Sequence, residues 1–216
     1  MLEKMSTFFE NRLGNYDWHM LNEIDSATEF YPCTAEQLPK APESHILDLG
    51  CGTGLELEFY FSGNPAARVT GIDLSEKMLA ALAAKFPDKD LQLICGSYFE
   101  EAFGENRFDA AVSVESLHHF TMEEKIPLYT RLHAALKDGG YFILTDYFAL
   151  SDEEELLHQK TLKELKAEQG ICDNAFYHYD TPLTVAHETQ ALLAAGFAAV
   201  EVLKNWGATY LLKAIK

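Results

Sequence analysis

Short apolar runs alternate along this chain with longer stretches in which hydrophobic residues recur at helical spacing. Continuous apolar runs indicate strands that are buried on both faces, and the periodic stretches indicate amphipathic helices. The predicted strands cover residues 46–49, 68–73, 91–95, 108–114 and 141–145. The predicted helices that follow them cover residues 55–61, 75–86, 121–136 and 184–195.

The carboxyl-terminal part breaks this alternation, because its last two apolar runs are joined by a turn alone. Residues 198–203 and 209–215 flank the sequence Asn205-Trp206-Gly207, which predicts an antiparallel hairpin. Strand–helix repeats that end in such a hairpin predict an α/β fold with a seven-stranded mixed sheet of order 3-2-1-4-5-7-6 and an antiparallel last strand.

The chain is expected to form a main domain over residues 45–216, preceded by a helical cap over residues 1–44. A highly charged stretch within residues 148–180 predicts a helical insertion in the main domain, which ends in an aromatic segment, residues 176–180. No internal repeat is found. The residues of the cap that are candidates for a lid are Tyr16, Trp18 and His19.

The first predicted strand ends in three glycines at alternate positions, Gly50, Gly52 and Gly54, and a helix begins at Leu55. Glycine reaches backbone angles that a Cβ forbids and lets a ligand lie against bare main chain. The N–H groups and the positive dipole end of the following helix attract an anionic group. This strand, turn and helix therefore predict a ligand cradle.

Two acids stand at strand ends beside this turn. Asp48 closes the first strand, and Asp73 closes the second, nineteen residues beyond Gly54, where a carboxylate can hold ribose hydroxyls. The nicotinamide fingerprint G-x-G-x-x-G would require glycine at position 55, which is Leu55. The ordered set of acids and glycines therefore favours another nucleoside cofactor.

The motif D-x-G-x-G-x-G at Asp48 to Gly54, followed by Gly71-Ile-Asp-Leu-Ser75, resembles the class I S-adenosylmethionine-dependent methyltransferases. The resemblance covers about residues 43–216 and implies a three-layer Rossmann-like fold with helices on both faces of the sheet. It implies S-adenosyl-L-methionine as cofactor, S-adenosyl-L-homocysteine as product and a nucleophilic acceptor that attacks the sulfonium methyl. The implied cofactor-binding residues are Asp48, Gly50, Cys51, Gly52, Gly54, Asp73, Leu74, Met78, Ser97, Tyr98, Glu115 and Tyr16.

The loop after the fourth strand, Glu115-Ser-Leu-His-His-Phe120, is expected to line the ligand pocket, because ligands gather beyond the carboxyl ends of the strands. If the acceptor must lose a proton, the candidate catalytic residues are His119, His118, Tyr147 and His178. No metal is expected: adjacent histidines on a loop cannot easily both point inward, and Asp146 with Glu115 lacks a visible third ligand.

Composition limits the partners and the compartment. The chain has 34 acidic and 17 basic residues, a net charge of −17, which repels a phosphate backbone and disfavours a nucleic acid substrate. Its four cysteines form no C-x-x-C pair, so they are read as reduced thiols. No signal peptide or membrane-spanning run is predicted, and a cytoplasmic location is expected. A homodimer remains open.

The most favoured function is transfer of a methyl group from S-adenosylmethionine to an oxygen, nitrogen or similar nucleophile of a small molecule. Enzymes that methylate nucleobase amines usually carry a Pro-Pro-aromatic signature after the fourth strand, where this chain has Ser116-Leu117-His118. The alternatives are a non-catalytic S-adenosylmethionine sensor or partner subunit, an RNA or protein methyltransferase, and a nicotinamide oxidoreductase.

Overall fold

The central sheet has seven strands in the order β3-β2-β1-β4-β5-β7-β6, which confirms the predicted topology. The computed structural model describes residues 1–173 and 175–216, so residue 174 of the predicted insertion lies outside the described residues. Strands β1 to β5 are parallel neighbours, and β7 pairs antiparallel with both β5 and β6. The strands are β1 His45–Leu49, β2 Arg68–Asp73, β3 Asp90–Cys95, β4 Phe108–Val114, β5 Leu136–Tyr147, β6 Ala199–Trp206 and β7 Thr209–Ile215.

Helices cover both faces of this sheet. Alternate residues of β1 show why: Ile46 packs into one apolar cluster with α3, α4 and α5, whereas Leu47 and Leu49 pack into the other with α6 and α8. The result is the three-layer arrangement that the sequence predicts. The helices are α1 Met5–Arg12, α2 Tyr16–Glu23, α3 Ala27–Glu36, α4 Leu55–Gly63, α5 Glu76–Lys85, α6 Met122–Ala135, α7 Asp152–Glu168 and α8 Val185–Ala194.

Two helix starts are fixed by the side chains that the sequence suggests. Ser75 caps α5 by accepting a hydrogen bond from the Met78 N–H at 3.2 Å. Thr121 and Glu124 form a capping box at the start of α6. These caps set where the loops at the carboxyl ends of β2 and β4 end. They therefore determine which residues lie in those loops, at the edge of the sheet where a ligand is expected.

A buried polar cluster joins α6 to α8. Lys125 Nζ lies 2.5 Å from Glu188 Oε2, and the Tyr129 hydroxyl donates to the same carboxylate. The Lys125 and Glu188 side chains are almost wholly excluded from solvent. Burial in a medium of low polarity makes both charges costly to leave unpaired, so this ion pair stabilises one particular docking of the two helices.

Of the amino-terminal helices, α3 packs on one face of the sheet beside α4. Thr34 of α3 and Thr145 of β5 share a hydrogen bond of 2.6 Å between their hydroxyls, and Tyr141 donates to the Gln37 carbonyl at 2.8 Å. α1 is held by the Met5 N–H, which donates to the Phe176 carbonyl at 2.9 Å. Among the described residues no helix has both the length and the apolar character needed to cross a membrane.

Candidate active site

The glycine turn after β1 adopts the left-handed backbone that its sequence predicts. Gly50, Gly52 and Gly54 have φ values of 75°, 47° and 72°. A Cβ on Gly50 would stand 2.1 Å from Ser116 Oγ, because the loop after β4 packs directly on the turn. On Gly52 the nearest atom to such a Cβ would be Tyr16 Oη at 3.8 Å, so the Tyr16 ring covers this side of the turn at van der Waals distance.

Asp73 connects the end of β2 to the glycine turn. Its carboxylate accepts the N–H of Gly52 at 3.0 Å and the N–H of Ser75 at 2.8 Å. Burial raises the pKa of Asp73, and the two backbone donors work against this rise. The carboxylate borders a cavity that is also lined by Gly50, Gly52 and Met78. This is the arrangement expected of a group that accepts hydrogen bonds from ribose.

Two aromatic side chains of the cap border that cavity. Its volume is about 40 Å³, room for a few water molecules at roughly 10–15 Å³ each and far too little for a nucleoside. Phe9 and Tyr16 line it, with ring centroids 6.1 Å apart in an edge-on arrangement. The cap is fastened here by Asp17, which accepts a hydrogen bond from the Thr53 hydroxyl and pairs with Lys85 Nζ at 2.9 Å.

Two buried acids lie behind the turn. Asp48 Oδ2 and Glu56 Oε1 have no hydrogen-bond partner among the described residues. Burial and the nearby Glu56 carboxyl raise the pKa of Asp48, and burial raises the pKa of Glu56. Unpaired buried carboxyl oxygens are unfavourable. The Asp73 carboxylate at the cavity and these acids behind the turn fit a nucleoside that carries an amino acid with an ammonium group.

A second, much larger cavity of about 1320 Å³ lies beside the first. Phe9, Tyr16 and Glu115 line both, so the two spaces adjoin. The large cavity runs between the cap, the loop after β4, the end of β5 and the turn of the β6–β7 hairpin. Its other functional side chains include His118, His119, Tyr147, His178, Asp180 and Arg12.

His118 is held between two carboxylates. Its Nδ1 lies 2.5 Å from Asp146 Oδ1, and its Nε2 lies 3.5 Å from Asp180 Oδ1. Burial opposes a charge on the ring, but Asp146 and Asp180 raise the pKa of His118 well above its ordinary value. Asp146 itself is fixed by the N–H of Leu117 at 2.8 Å and by the N–H of Tyr147 at 3.0 Å.

The pKa values of the other two histidines are lowered, in contrast to that of His118. Burial and the neighbouring His118 lower the pKa of His119, whose Nδ1 lies 3.2 Å from Asp180 Oδ1 and 3.2 Å from the Tyr179 carbonyl. Burial and His119 lower the pKa of His178 to about 4. The His178 ring stacks on Phe8, with centroids 3.5 Å apart.

Glu115 and Tyr147 complete the border between the cavities. Burial and the Asp146 carboxylate raise the pKa of Glu115 to about 8, and its backbone is left-handed with a φ of 49°. Burial also raises the pKa of Tyr147. The structure thus brings together all four side chains that the sequence suggests as proton acceptors.

The expectation that adjacent histidines cannot both point inward is wrong for His118 and His119. They lie in a single 3-10 turn, Leu117–His119, in which both rings face the cavity with centroids 4.0 Å apart. The tight turn holds their side chains side by side instead of on opposite faces.

Several implied cofactor-binding residues do not border either cavity. The Cys51 sulfur points at Gly71 of β2, where a Cβ would be 2.7 Å from it. Ser97 accepts the Phe99 N–H at 3.2 Å and so fixes the turn after β3. Tyr98 is buried, with its hydroxyl 3.1 Å from Ser116 Oγ. The remaining residues of this kind are Asp48, Gly54 and Leu74.

Sequence reasoning did not single out Phe9, Asp17 or Asp180. Each acts through a contact with a residue far along the chain, such as Asp17 with Thr53 and Asp180 with His118. No local pattern marks such contacts. Of the lid candidates, Tyr16 and His19 line the large cavity, whereas Trp18 is 54% exposed.

A model of the methyltransferase domain family matches residues 46–140, the part of the chain from β1 into β5. The chain is 31% identical over 227 aligned positions to carboxy-S-adenosyl-L-methionine synthase of Wolinella succinogenes, covering 95% of this chain and 91% of that protein. It is 28% identical to 24-methylenesterol C-methyltransferase 3 of Arabidopsis thaliana, covering 69% of this chain and 47% of that protein. Several other curated methyltransferases are likewise matched over about half of their length or less.

Solved structures agree with the fold. An S-adenosylmethionine-dependent methyltransferase of Mesorhizobium loti superimposes with a TM-score of 0.64 at 24% identity, over 86% of this chain and 96% of that one. Human N-acetylserotonin methyltransferase in complex with S-adenosylmethionine gives 0.62 at 20% identity, over 88% and 52% of the two chains. The chain therefore belongs to the class I, Rossmann-like S-adenosylmethionine-dependent methyltransferases. Its cofactor is S-adenosyl-L-methionine.

Proposed function

We propose that this protein transfers a methyl group to an oxygen, nitrogen or similar nucleophile of a small molecule that binds in the large cavity. One observation carries the proposal: the cavity at the glycine turn and the large cavity adjoin at Phe9, Tyr16 and Glu115. An acceptor in the large cavity is therefore next to the place where the cofactor's reactive end is expected.

When bound, S-adenosylmethionine supplies a methyl group that its sulfonium already activates. The residues proposed to hold it are Gly50 and Gly52 through the main chain, Asp73 through ribose, and Asp48 near the amino acid portion. Since alignment of the reacting groups accounts for much of such a reaction, the chain's main tasks are to orient the acceptor and exclude water. The cap helices place Phe9 and Tyr16 against the small cavity, and these two side chains have to shift to admit a cofactor.

The chain's own proton acceptors are proposed to be among His119, His118, Tyr147 and His178, all of which line the large cavity. An acceptor whose hydroxyl or ammonium must lose a proton would deliver it to one of these groups. His118 already contacts carboxylates through both ring nitrogens, and His119 is engaged through Nδ1. Replacing each by glutamine, one at a time, identifies the group whose loss abolishes the dependence of turnover on pH.

The test is turnover with S-adenosylmethionine and a panel of amines, hydroxyl compounds and thiols, with S-adenosylhomocysteine followed by mass spectrometry. Methylated product that disappears in His178→Gln or His119→Gln, with cofactor affinity retained, supports the proposal. Cofactor binding without turnover on any acceptor favours a sensor or partner subunit instead. Bulk tRNA and a mixture of unfolded proteins serve as further acceptors, and methylation of either of them alone contradicts a small-molecule acceptor.

A second candidate is synthesis of carboxy-S-adenosyl-L-methionine, because similarity to the Wolinella succinogenes synthase extends over 95% of this chain. The charge of the cavity argues against it. The acidic residues Glu23, Asp25 and Asp180 line the cavity, and Arg12 is the one lysine or arginine among its described lining residues. A donor that carries a carboxylate would be repelled there. Mass spectrometry separates the two reactions, since one yields S-adenosylhomocysteine and the other a carboxylated nucleoside.

A further inference from the structure

Three side chains that line the large cavity present donor atoms at the spacing of metal ligands. Asp180 Oδ1 lies 3.2 Å from His119 Nδ1 and 3.5 Å from His118 Nε2. All three donor atoms lie within 4.8 Å of one another. Ligands about 2.0–2.1 Å from a tetrahedral ion stand roughly 3.3–3.4 Å apart, which is close to the two measured separations. We propose that His118, His119 and Asp180 bind a divalent transition-metal ion, with zinc as the best match.

His118 makes the hydrogen bond to a carboxylate that is typical of a metal-binding imidazole. Asp146 Oδ1 lies 2.5 Å from His118 Nδ1, so this nitrogen donates its proton to the carboxylate and leaves Nε2 to face Asp180 and the cavity. Asp146 is in turn held by the N–H groups of Leu117 and Tyr147. A carboxylate behind the ligating histidine fixes its tautomer and ring orientation and raises its basicity. Asp146 is thus a positioning residue for the ion.

The charges around the cluster also favour a cation. Glu115 and Asp146 lie within the same group of donor atoms as His118, and Asp180 adds a third carboxyl. Arg12, the cavity's basic residue, pairs with Glu3 at 3.2 Å. A divalent ion would offset the clustered carboxylates at close range, where their mutual repulsion is poorly screened.

Two histidines and one aspartate leave the ion with at least one coordination position open to the cavity. Three protein ligands with an open position are typical of catalytic zinc sites, and structural sites are usually closed by four. The ligand set contains imidazole and carboxylate, which suits zinc, cobalt, nickel or iron(II) better than magnesium or calcium. Binding requires His118 Nε2 to lose the proton it shares with Asp180 and His119 Nδ1 to lose any proton it shares with the Tyr179 carbonyl, so metal uptake releases protons.

The experiment measures metal binding in the full chain without cofactor or acceptor, so it does not depend on the proposed methyl transfer. A Cys95→Ser/Cys172→Ser background removes the exposed thiols, which bind zinc and cobalt on their own. Protein treated with a chelator is titrated with Co²⁺, followed by visible absorption, and with Zn²⁺, followed by calorimetry. One ion per chain is expected, together with a rise in melting temperature on zinc addition.

Zinc binding by substituted proteins tests which residues hold the ion. His119→Ala and Asp180→Asn are expected to weaken zinc binding by more than about 20-fold, and Asp146→Asn by about 10-fold or more, since losing a residue that supports a ligand typically costs this much. His133→Ala is the matched control, because this histidine packs edge-on against Phe197, outside the residues that line the cavity. Asp180 is partly exposed, so Asp180→Asn keeps the test valid should His119→Ala fail to fold.

The proposal is overturned by zinc binding weaker than about 1 mM, or by tight binding that the cluster variants leave unchanged. The first result would leave His118, His119 and Asp180 as a hydrogen-bonded network, and the second would place the ion elsewhere. Metal binding in a protein without turnover would still support the assignment, because the assignment does not depend on the proposed methyl transfer.

Discussion

Replacing Asp73 by asparagine tests the proposed cofactor site most directly. The aspartate accepts the N–H of Gly52 at 3.0 Å and of Ser75 at 2.8 Å, and its remaining lone pairs border the cavity. Asparagine keeps the size but has one acceptor oxygen and no charge. A hydrogen bond to a charged group contributes about 1.5–3 kcal/mol, so loss of one ribose contact is expected to weaken S-adenosylhomocysteine binding by about 10- to 150-fold.

Calorimetric titration with S-adenosylhomocysteine measures this change. Asp88→Asn is the matched control, because Asp88 is exposed and lies on the turn between α5 and β3. Circular dichroism and a melting curve show whether Asp73→Asn stays folded, which is necessary because the substitution also weakens the link between β2 and the glycine turn. A folded Asp73→Asn protein that binds within about twofold of the parent would refute the proposed role of this carboxylate.

The same residue predicts a dependence of cofactor binding on pH. Burial raises the pKa of Asp73 above its ordinary value of 3.8. The charged form accepts hydrogen bonds from ribose, so affinity is expected to be full above the raised pKa and to fall as the pH is lowered through it. Asp73→Asn has no proton to take up, and its acid-side decline should be smaller. Equal declines in both proteins would mean that another group is responsible.

Two substitutions test the framework that carries the site. Gly50→Ala should lower the melting temperature, measured by calorimetry, by several degrees more than Gly139→Ala does. Both glycines have a φ of 75°, but only the Gly50 Cβ would clash, at 2.1 Å from Ser116 Oγ. Equal losses would show that backbone strain at positive φ, and not the clash, sets the cost. Lys125→Met should destabilise the protein by about 3–5 kcal/mol in urea unfolding, because Glu188 would be left buried without its partner. Adding Glu188→Leu should recover most of the loss, and a double variant no more stable than Lys125→Met would contradict this explanation.

Much of the sheet could be predicted because its signals are local. The bounds predicted for β2 and β4 match the structure, and Ser75 and Thr121 cap the helices that they precede. β5 is longer than predicted, since Leu136 already pairs with Phe108 before the irregularity near Gly140. A strand that continues through polar residues cannot be recognised from apolar periodicity.

The candidate site was predictable only in part. Residues on the turns at strand ends, such as Gly52, Asp73 and His119, are placed by topology alone and do line the cavities. The fastening of the cap was not predictable, because it depends on Asp17 meeting Thr53 and Lys85 across the fold. The direction of the Cys51 sulfur also follows from packing against β2, which a motif does not specify.

The shared wall between the two cavities has a kinetic consequence. Phe9 and Tyr16 belong to both, and the smaller space has a volume of about 40 Å³ while they remain in place. A nucleoside that binds at Asp73 has to displace these rings, which changes the shape of the large cavity proposed to hold the acceptor. If methyl transfer is the function, the order in which cofactor and acceptor bind is therefore expected to depend on the amino-terminal helices.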